Sequence, residues 1–473
     1  MDSEESPWFY EIALDYNNHV THLFLMHKQQ VLNCRLYPNV FWVDSTYCTN
    51  EYDMPLAHAV GANAQNKTFS AAFCFMQKNM ISQQHHEWFF RYFRYYAFYH
   101  IMGADTPPMY AELCLPQFFA EKALAVSNLP STFLVDRDLA TIKGFKVVFA
   151  DTTTKYQICC WHIDKDVESY CTRAFQDGSA DKNTWREEYD QFETMWLSLR
   201  KSTTVEAYSA NLTSLEDSFN DTEYGKKCIR YMHREWLPYK DHFVVAWCKE
   251  NFNAGNWWTS RCEGAHKSVK DFLPDKKGTL SVTVPKFEKY LQEQTNTMSE
   301  AELADAAKNP SHLICNPLYQ QVLGSFVSKY GLILASEQER LYKQSVYKNK
   351  LLRVPMKTCT GVFRKTTGVP CCHDIKALCE SNSPLAMDMF HPQWHLPRRA
   401  LTVGDQRQRI FEPNRFQKSS NSTTQPAHAL KRGGGRRVSH RFPSRFETTR
   451  IEVALKDNAR IDAAEDATTE AAR

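Results

Sequence analysis

Three acidic side chains stand where a catalytic metal site would need them. Asp44 ends the apolar run Val40-Phe41-Trp42-Val43, Asp136 ends Thr132-Phe133-Leu134-Val135, and Glu263 lies in Thr259-Ser260-Arg261-Cys262-Glu263-Gly264-Ala265-His266, which opens a helical stretch. An apolar run closing on one carboxylate reads as a strand buried on both faces whose end meets solvent. A carboxylate in that position is costly unless it is paired, hydrogen-bonded or holding a cation. Two strand ends and a helix supplying hard oxygen donors form the set that binds two magnesium or manganese ions for phosphoryl transfer. A purely structural account stands beside this one. Asp136 or Asp138 could cap the next helix, and Ser260 with Glu263 fits a capping box.

The elements that must position these acids can be read from periodicity. Residues 8–26 predict a hairpin turning at Asn17-Asn18 and leading into the Asp44 strand, with two further strands at 54–61 and 69–76. Trp88, Phe89, Tyr92, Phe93, Tyr96 and Phe98 recur at helical spacing over 86–101 and predict a helix covering one sheet face. The Asp136 strand, a helix over 139–149 and a strand over 156–162 predict a parallel right-handed crossover. From 165 to 258 the pattern is helical, with Trp185, Tyr189, Phe192, Trp196 and Leu199 on one stripe. The Glu263 helix follows, with Cys262, Val269 and Phe272 as its buried face, then helices over 286–304 and 317–345. Three antiparallel strands followed by parallel βα units is the order of an α/β, ribonuclease-H-like core, here carrying an all-α insertion.

The 473 residues are too many for one ordinary domain, and 43% hydrophobic content provides a large core. A net charge of +3 announces no nucleic-acid partner by itself. The start has no apolar signal region and no run is long enough to span a bilayer, so the chain reads as soluble, intracellular and without a membrane partner. Its 15 cysteines then read as reduced. The expected organisation is a hairpin and lead-in (1–34), a first core segment (35–164), the helical insertion (165–258), the rest of the core with its following helices (259–345), a Cys/His module (346–400) and a disordered tail (401–473). That tail carries Lys431, Arg432, Arg436, Arg437, Arg441 and Arg445, which suit phosphate contacts or a nuclear localisation signal. Trp257-Trp258 could stack on unpaired bases, with burial as the plainer explanation.

Four phrases in order resemble the Mutator-like element (MULE) transposase domain over roughly 8–275. They are Val43-Asp44-Ser45-Thr46-Tyr47-Cys48-Thr49-Asn50 with Met54-Pro55-Leu56; Val135-Asp136-Arg137-Asp138-Leu139-Ala140; Cys159-Cys160-Trp161-His162; and Thr259 to His266. The resemblance implies a DDE triad, mapped here to Asp44, Asp136 and Glu263, and a Cys159-x-x-His162 motif on a strand beside the active site. His162 would orient substrate or neighbouring groups; simple packing of both residues is the alternative. Cys359, Gly361 and Gly368-Val369-Pro370-Cys371-Cys372-His373 resemble a SWIM zinc finger. This implies zinc at Cys359, Cys371 and His373, with Gly361 where the second cysteine belongs. A fourth donor would come from Cys372, Cys379, His391 or His395, with the two histidines preferred. The function implied is metal-dependent cleavage and transfer of double-stranded DNA at transposon ends, in the nucleus, with a homo-oligomer left open. The alternative is a catalytically silent, transposase-derived DNA-binding regulator, because the N-terminal DNA-binding zinc finger often found upstream in that family is missing.

Overall fold

The N-terminal hairpin forms the outer edge of a seven-stranded sheet in the computed structural model, which describes residues 6–77, 83–99, 129–178, 184–273, 278–307, 309–324, 326–347 and 353–396. Its strands are β1 (Trp8–Leu14), β2 (Val20–His27), β3 (Val40–Thr46), β4 (Leu56–Ala62), β5 (Thr68–Met76), β6 (Thr132–Val135) and β7 (Lys155–Ile158), in the spatial order β1-β2-β5-β4-β3-β6-β7. Pairing is antiparallel from β1 to β3 and parallel from β3 through β6 to β7. The chemistry-bearing strand β3 is therefore central, with an antiparallel neighbour on one side and a parallel one on the other.

Each face of β3 enters a different core. Phe41 and Val43 pack with Phe69, Phe90, Phe93 and Phe133, whereas Val40 and Trp42 pack with Val60, Leu134, Cys262 and Ala265. Two buried faces account for the unbroken apolar run in the sequence. By the two-residue period of a strand, Asp44 belongs to the Trp42 face.

Helix α1 (Lys28–Leu36) fills the lead-in between β2 and β3. The sequence conceals it because polar Lys28, Gln30 and Asn33 are buried together with Val31, Leu32 and Cys34, so no apolar stripe at helical spacing reveals a period. His27 caps it, accepting from the Gln29 N–H while the Gln30 side chain accepts from the His27 N–H. Helix α2 (Gln83–Arg94) buries Phe89, Phe90 and Phe93 as the aromatic spacing predicts, then passes into a π turn at Tyr95–Tyr99; the end of the predicted helix lies outside the described residues. Helix α3 (Leu139–Val148) supplies the crossover between β6 and β7.

The expected strand over 156–162 is corrected at its end. The Cys159 N–H makes the last ladder bond to Val135 O, and the Ile163 N–H then turns back to Cys159 O, so helix α4 (Cys160–Gly178) starts where strand was expected. The β-prone run Tyr156 to Trp161 conceals this switch. Helices α5 (Trp185–Arg200), α6 (Val205–Phe219) and α7 (Glu223–Glu235) complete an all-helical region that buries Tyr189, Phe192, Trp196 and Leu199. After it come α8 (Ser260–Phe272), which carries Glu263, and α9 (Leu280–Ala307). The helix expected over 317–345 is only a 3₁₀ turn at Pro317–Tyr319 and helix α10 (Lys329–Ser345). Between them the described residues run in turns, and Val327 makes a single antiparallel bridge to His395. No described helix is long and apolar enough to cross a membrane.

Candidate metal centres

The parallel register pairs Val43 with Val135, so Asp44 and Asp136 follow side by side at the carboxyl ends of adjacent strands. Ligands of open α/β sheets sit at such ends. One oxygen of each is engaged locally: Asp44 Oδ1 accepts from the Ser45 N–H at 2.7 Å, and Asp136 Oδ1 from the Arg137 N–H at 2.6 Å. Glu263 arrives on α8, whose N-cap is Thr259 without a side-chain cap bond. Ser260 is already helical, so the alternative capping box does not form and Glu263 stays on the exposed side of the first turn.

The acids influence one another. Burial pushes the Asp44 carboxyl up to about 6; the Ser45 N–H opposes this, the charges of Asp136 and Glu263 add to it, and His162 offsets part. Crowded carboxylates on a half-buried floor are relieved by a dication, and their oxygens are hard donors, so the residues fit magnesium or manganese. The three are not drawn into one tight knot. Among the described residues, the group of three whose ligand atoms all lie within 4.8 Å of one another is Cys359, Cys371 and His373.

Asp138 has a different task. It caps α3, accepting from the Ala140 and Thr141 N–H groups at 3.2 and 3.0 Å, and it lies 3.2 Å from His86 Nε2. Asp136 makes no such cap.

His162, on the first turn of α4, places Nδ1 3.3 Å from Asp136 Oδ1 and 3.5 Å from Thr259 Oγ1. The Cys159 sulfur accepts the Thr259 N–H at 3.2 Å, tying the start of α8 to the end of β7. Burial alone would lower the His162 pKa, but the bond and charge of Cys159, with Asp136 and Asp44, raise it to about 9. Cys159 and His162 are thus a brace between the two acid-bearing elements rather than strand neighbours. Arg137 pairs with Glu235 at 2.5 Å and lies over the Trp236 ring at 4.5 Å, which links the Asp136 turn to the helical region. Trp257 is 8% exposed and takes the burial explanation.

The Cys/His residues form a second centre. Cys359 Sγ lies 4.0 Å from Cys371 Sγ, and Cys371 Sγ lies 3.8 Å from His373 Nδ1. Tetrahedral donors at zinc distances from a shared ion stand about 3.6–3.8 Å apart. His373 Nε2 meets Lys357 O at 2.8 Å, the outer contact that turns the other ring nitrogen towards a metal. The donor set fits zinc. Burial pushes the Cys371 thiol up to about 12, and a bound dication would displace that proton.

The two preferred fourth donors make other contacts. His391 accepts from the Gln393 N–H and stacks on Phe252 at 3.6 Å, and His395 Nε2 meets Met387 O and Phe390 O at 3.0 Å. Cys372, one of the two cysteine candidates, has its sulfur 3.5 Å from His373 Nδ1. Gly361 has a physical reason to stand where a cysteine was expected: its φ is +73°, where a Cβ is disfavoured. The basic cluster at 431–445 lies outside the described residues.

Two further groups lie beside Asp44. His266 follows Glu263 by one turn of α8, with Nδ1 3.9 Å from Asp44 Oδ2, and His58 is the cross-strand partner of Asp44. The helical spacing flags His266. His58 needs the strand register, which a single sequence leaves open.

No curated protein matches the chain. The family model of the MULE transposase domain matches residues 40–111, the stretch that holds β3 with Asp44, β4, β5 and α2, and it suggests a transposase-related function.

Proposed function

We propose that the chain is a Mutator-like DDE transposase that cleaves double-stranded DNA at transposon ends and transfers the strand. On this reading the sheet from β5 to β7 is a ribonuclease-H-like core, supported by its order β5-β4-β3-β6-β7 and its change from antiparallel to parallel pairing at β3. The observation that carries the reading is that in-register pairing sets Asp44 and Asp136 side by side at the carboxyl ends of β3 and β6, with Glu263 on the first turn of α8, a helix packed against β3.

Asp44, Asp136 and Glu263 would hold magnesium or manganese, which supplies activation of a water or 3′-hydroxyl and stabilisation of the leaving oxygen. Asp44 and Asp136 give the site a rigid floor because their strands pair in register. His162 holds Asp136 from the side, and Thr259 with Cys159 sets where α8 begins and hence where Glu263 stands. Cys359, Cys371 and His373 would hold a structural zinc.

The test compares DNA binding and manganese-dependent nicking of the full chain on double-stranded transposon-end DNA. Asp44→Asn should abolish nicking and leave binding intact or stronger, since a negative charge facing phosphate is removed. A wild-type protein that binds but never cuts, with either metal, would assign the chain to the regulator alternative.

A further inference from the structure

Trp161 stands in the open beside the acid site. Of the chain's 11 tryptophans, all of them among the described residues, it is the one the fold leaves exposed, at 43%. Trp257, by contrast, is buried and Trp258 packs against the main core. Tryptophan is on average a heavily buried residue. The phase of α4 puts this one outside: Ile163, Val167 and Cys171 form the buried stripe, which leaves Trp161 and, one turn later, Lys165 facing solvent. A single exposed apolar side chain is ordinary, but the place and the neighbour of this one are not.

The Trp161 ring meets the His162 ring at 4.8 Å between centroids with the planes 74° apart, and His162 Nδ1 lies 3.3 Å from Asp136 Oδ1. One imidazole therefore separates the indole from an acid proposed to hold the metal. Lys165 Nζ sits 4.4 Å from the indole centroid. Further along α4, Tyr170 lies flat on Tyr231 of α7 at 3.9 Å, with Lys227 Nζ 5.8 Å from the Tyr170 centroid and Arg234 exposed on the same helix as Tyr231. Asp166 and Glu168 are exposed on α4 as well, so these cations act at separate points rather than as one positive field.

The Asp44 and Asp136 side chains are only 21% and 40% exposed, so a phosphodiester lowered onto them has to leave the regular path of a duplex. The bases beside it then lose stacking partners, a cost that proteins acting on nucleic acids offset with aromatic surfaces. An indole can take any base, because every base has a π face. An exposed cation–π contact is weaker than base stacking, so an incoming base displaces the ammonium of Lys165 from the ring. Its flexible stem then carries the charge to a phosphate of the same strand.

We propose that Trp161 is a base-stacking residue of the acid site, holding one unpaired base of the DNA strand next to the phosphate to be cut, with Lys165 on the backbone of that nucleotide.

This inference rests on the acid-site reading for the place of the phosphate, and two measurements on the full chain keep them apart. The first is binding, in EDTA, to a blunt duplex and to the same duplex with a short single-stranded 3′ overhang carrying 2-aminopurine. Wild-type protein should prefer the overhang and quench its fluorescence. Trp161→Leu should weaken overhang binding about 5- to 150-fold, the range for losing one stacked base. Its affinity for the blunt duplex, which also reports that the variant is folded, should stay near that of wild type. Trp161→Phe should keep most of the preference, because a smaller aromatic face still stacks. Lys165→Gln should lower the slope of log K against log salt by about 0.7–0.9, one phosphate contact. Overhang binding that is unchanged in Trp161→Leu, or that falls equally on both duplexes, would overturn the stacking role, and an unchanged salt slope in Lys165→Gln would overturn the backbone contact. The second measurement is nicking with manganese. Nicking lost in Asp44→Asn but undiminished in Trp161→Leu would overturn this inference alone. A wild-type chain whose overhang preference depends on Trp161 but which never nicks would overturn the acid-site reading and leave the stacking site standing.

Discussion

The proposed acid site and the Cys/His site are assembled by opposite routes. Cys359, Cys371 and His373 come from one short stretch, and their donor atoms already stand at distances that suit a common ion. Asp44, Asp136 and Glu263 come from three separated elements, and burial, with a smaller part from the charges of Asp136 and Glu263, raises the cost of ionising Asp44. The local site is shaped by the turn that carries it, including the left-handed Gly361. The dispersed one sets Asp44 and Asp136 on adjacent strands by sheet register and leaves Glu263 to the packing of a distant helix.

Breaking each site separately gives the sharpest contrast. Glu263→Gln should lower DNA nicking at least roughly 10²–10³-fold, the scale of losing one preorganised charge-stabilising group, while the zinc content measured by elemental analysis stays at that of wild type. Nicking that survives undiminished would remove Glu263 from the site. Cys371→Ser should do the reverse to metal content, losing bound zinc and making residues 353–396 sensitive to protease, with β1 to β5 still protected. A variant that keeps its zinc would show that Cys371 is no ligand.

The electrostatic half of the contrast has a pH signature. The folded Asp44 carboxyl keeps its proton up to about 6, whereas an unfolded one gives it up near 3.8, so the native state loses stability as pH rises between those values and carries the full penalty above 6. In EDTA, Asp44→Asn should therefore stabilise the protein by roughly 2–3 kcal/mol at pH 7.5 and by almost nothing at pH 3.5. Denaturant melts showing an equal effect at both values would exclude this account. The smallest effect belongs to Gly361→Ala, expected to cost about 1 kcal/mol through its φ of +73°. A Cβ there meets nothing closer than Lys365 Cε at 3.7 Å, so a thermal shift much larger than that would mean a steric role.

Local periodicity made much of this architecture legible. The hairpin, the β3 run, the aromatic stripe of α2 and the Trp196 stripe of α5 each announce themselves within a dozen residues. What escaped depends on contacts made far along the chain. α1 is buried on almost every side, and the switch from β7 to α4 at Cys160 is anchored by a bond from the Cys160 N–H to Trp257 O. His391 and His395 looked like zinc donors from spacing alone. They are held instead by Gly368, Phe252 and the carbonyls of their own turn.

The helical region from α4 to α7 lies between Asp136 and Glu263 in the chain, and this orders events in time. At translation rates of about 5–20 residues per second, Glu263 is made some 6–25 s after Asp136. The sheet can pair and bury its aromatic core during that interval with two of its acids in place and the third still unmade. A growing chain therefore passes through a long period as a folded sheet with two of the three proposed ligands, and the third arrives on a helix that packs onto a strand already made.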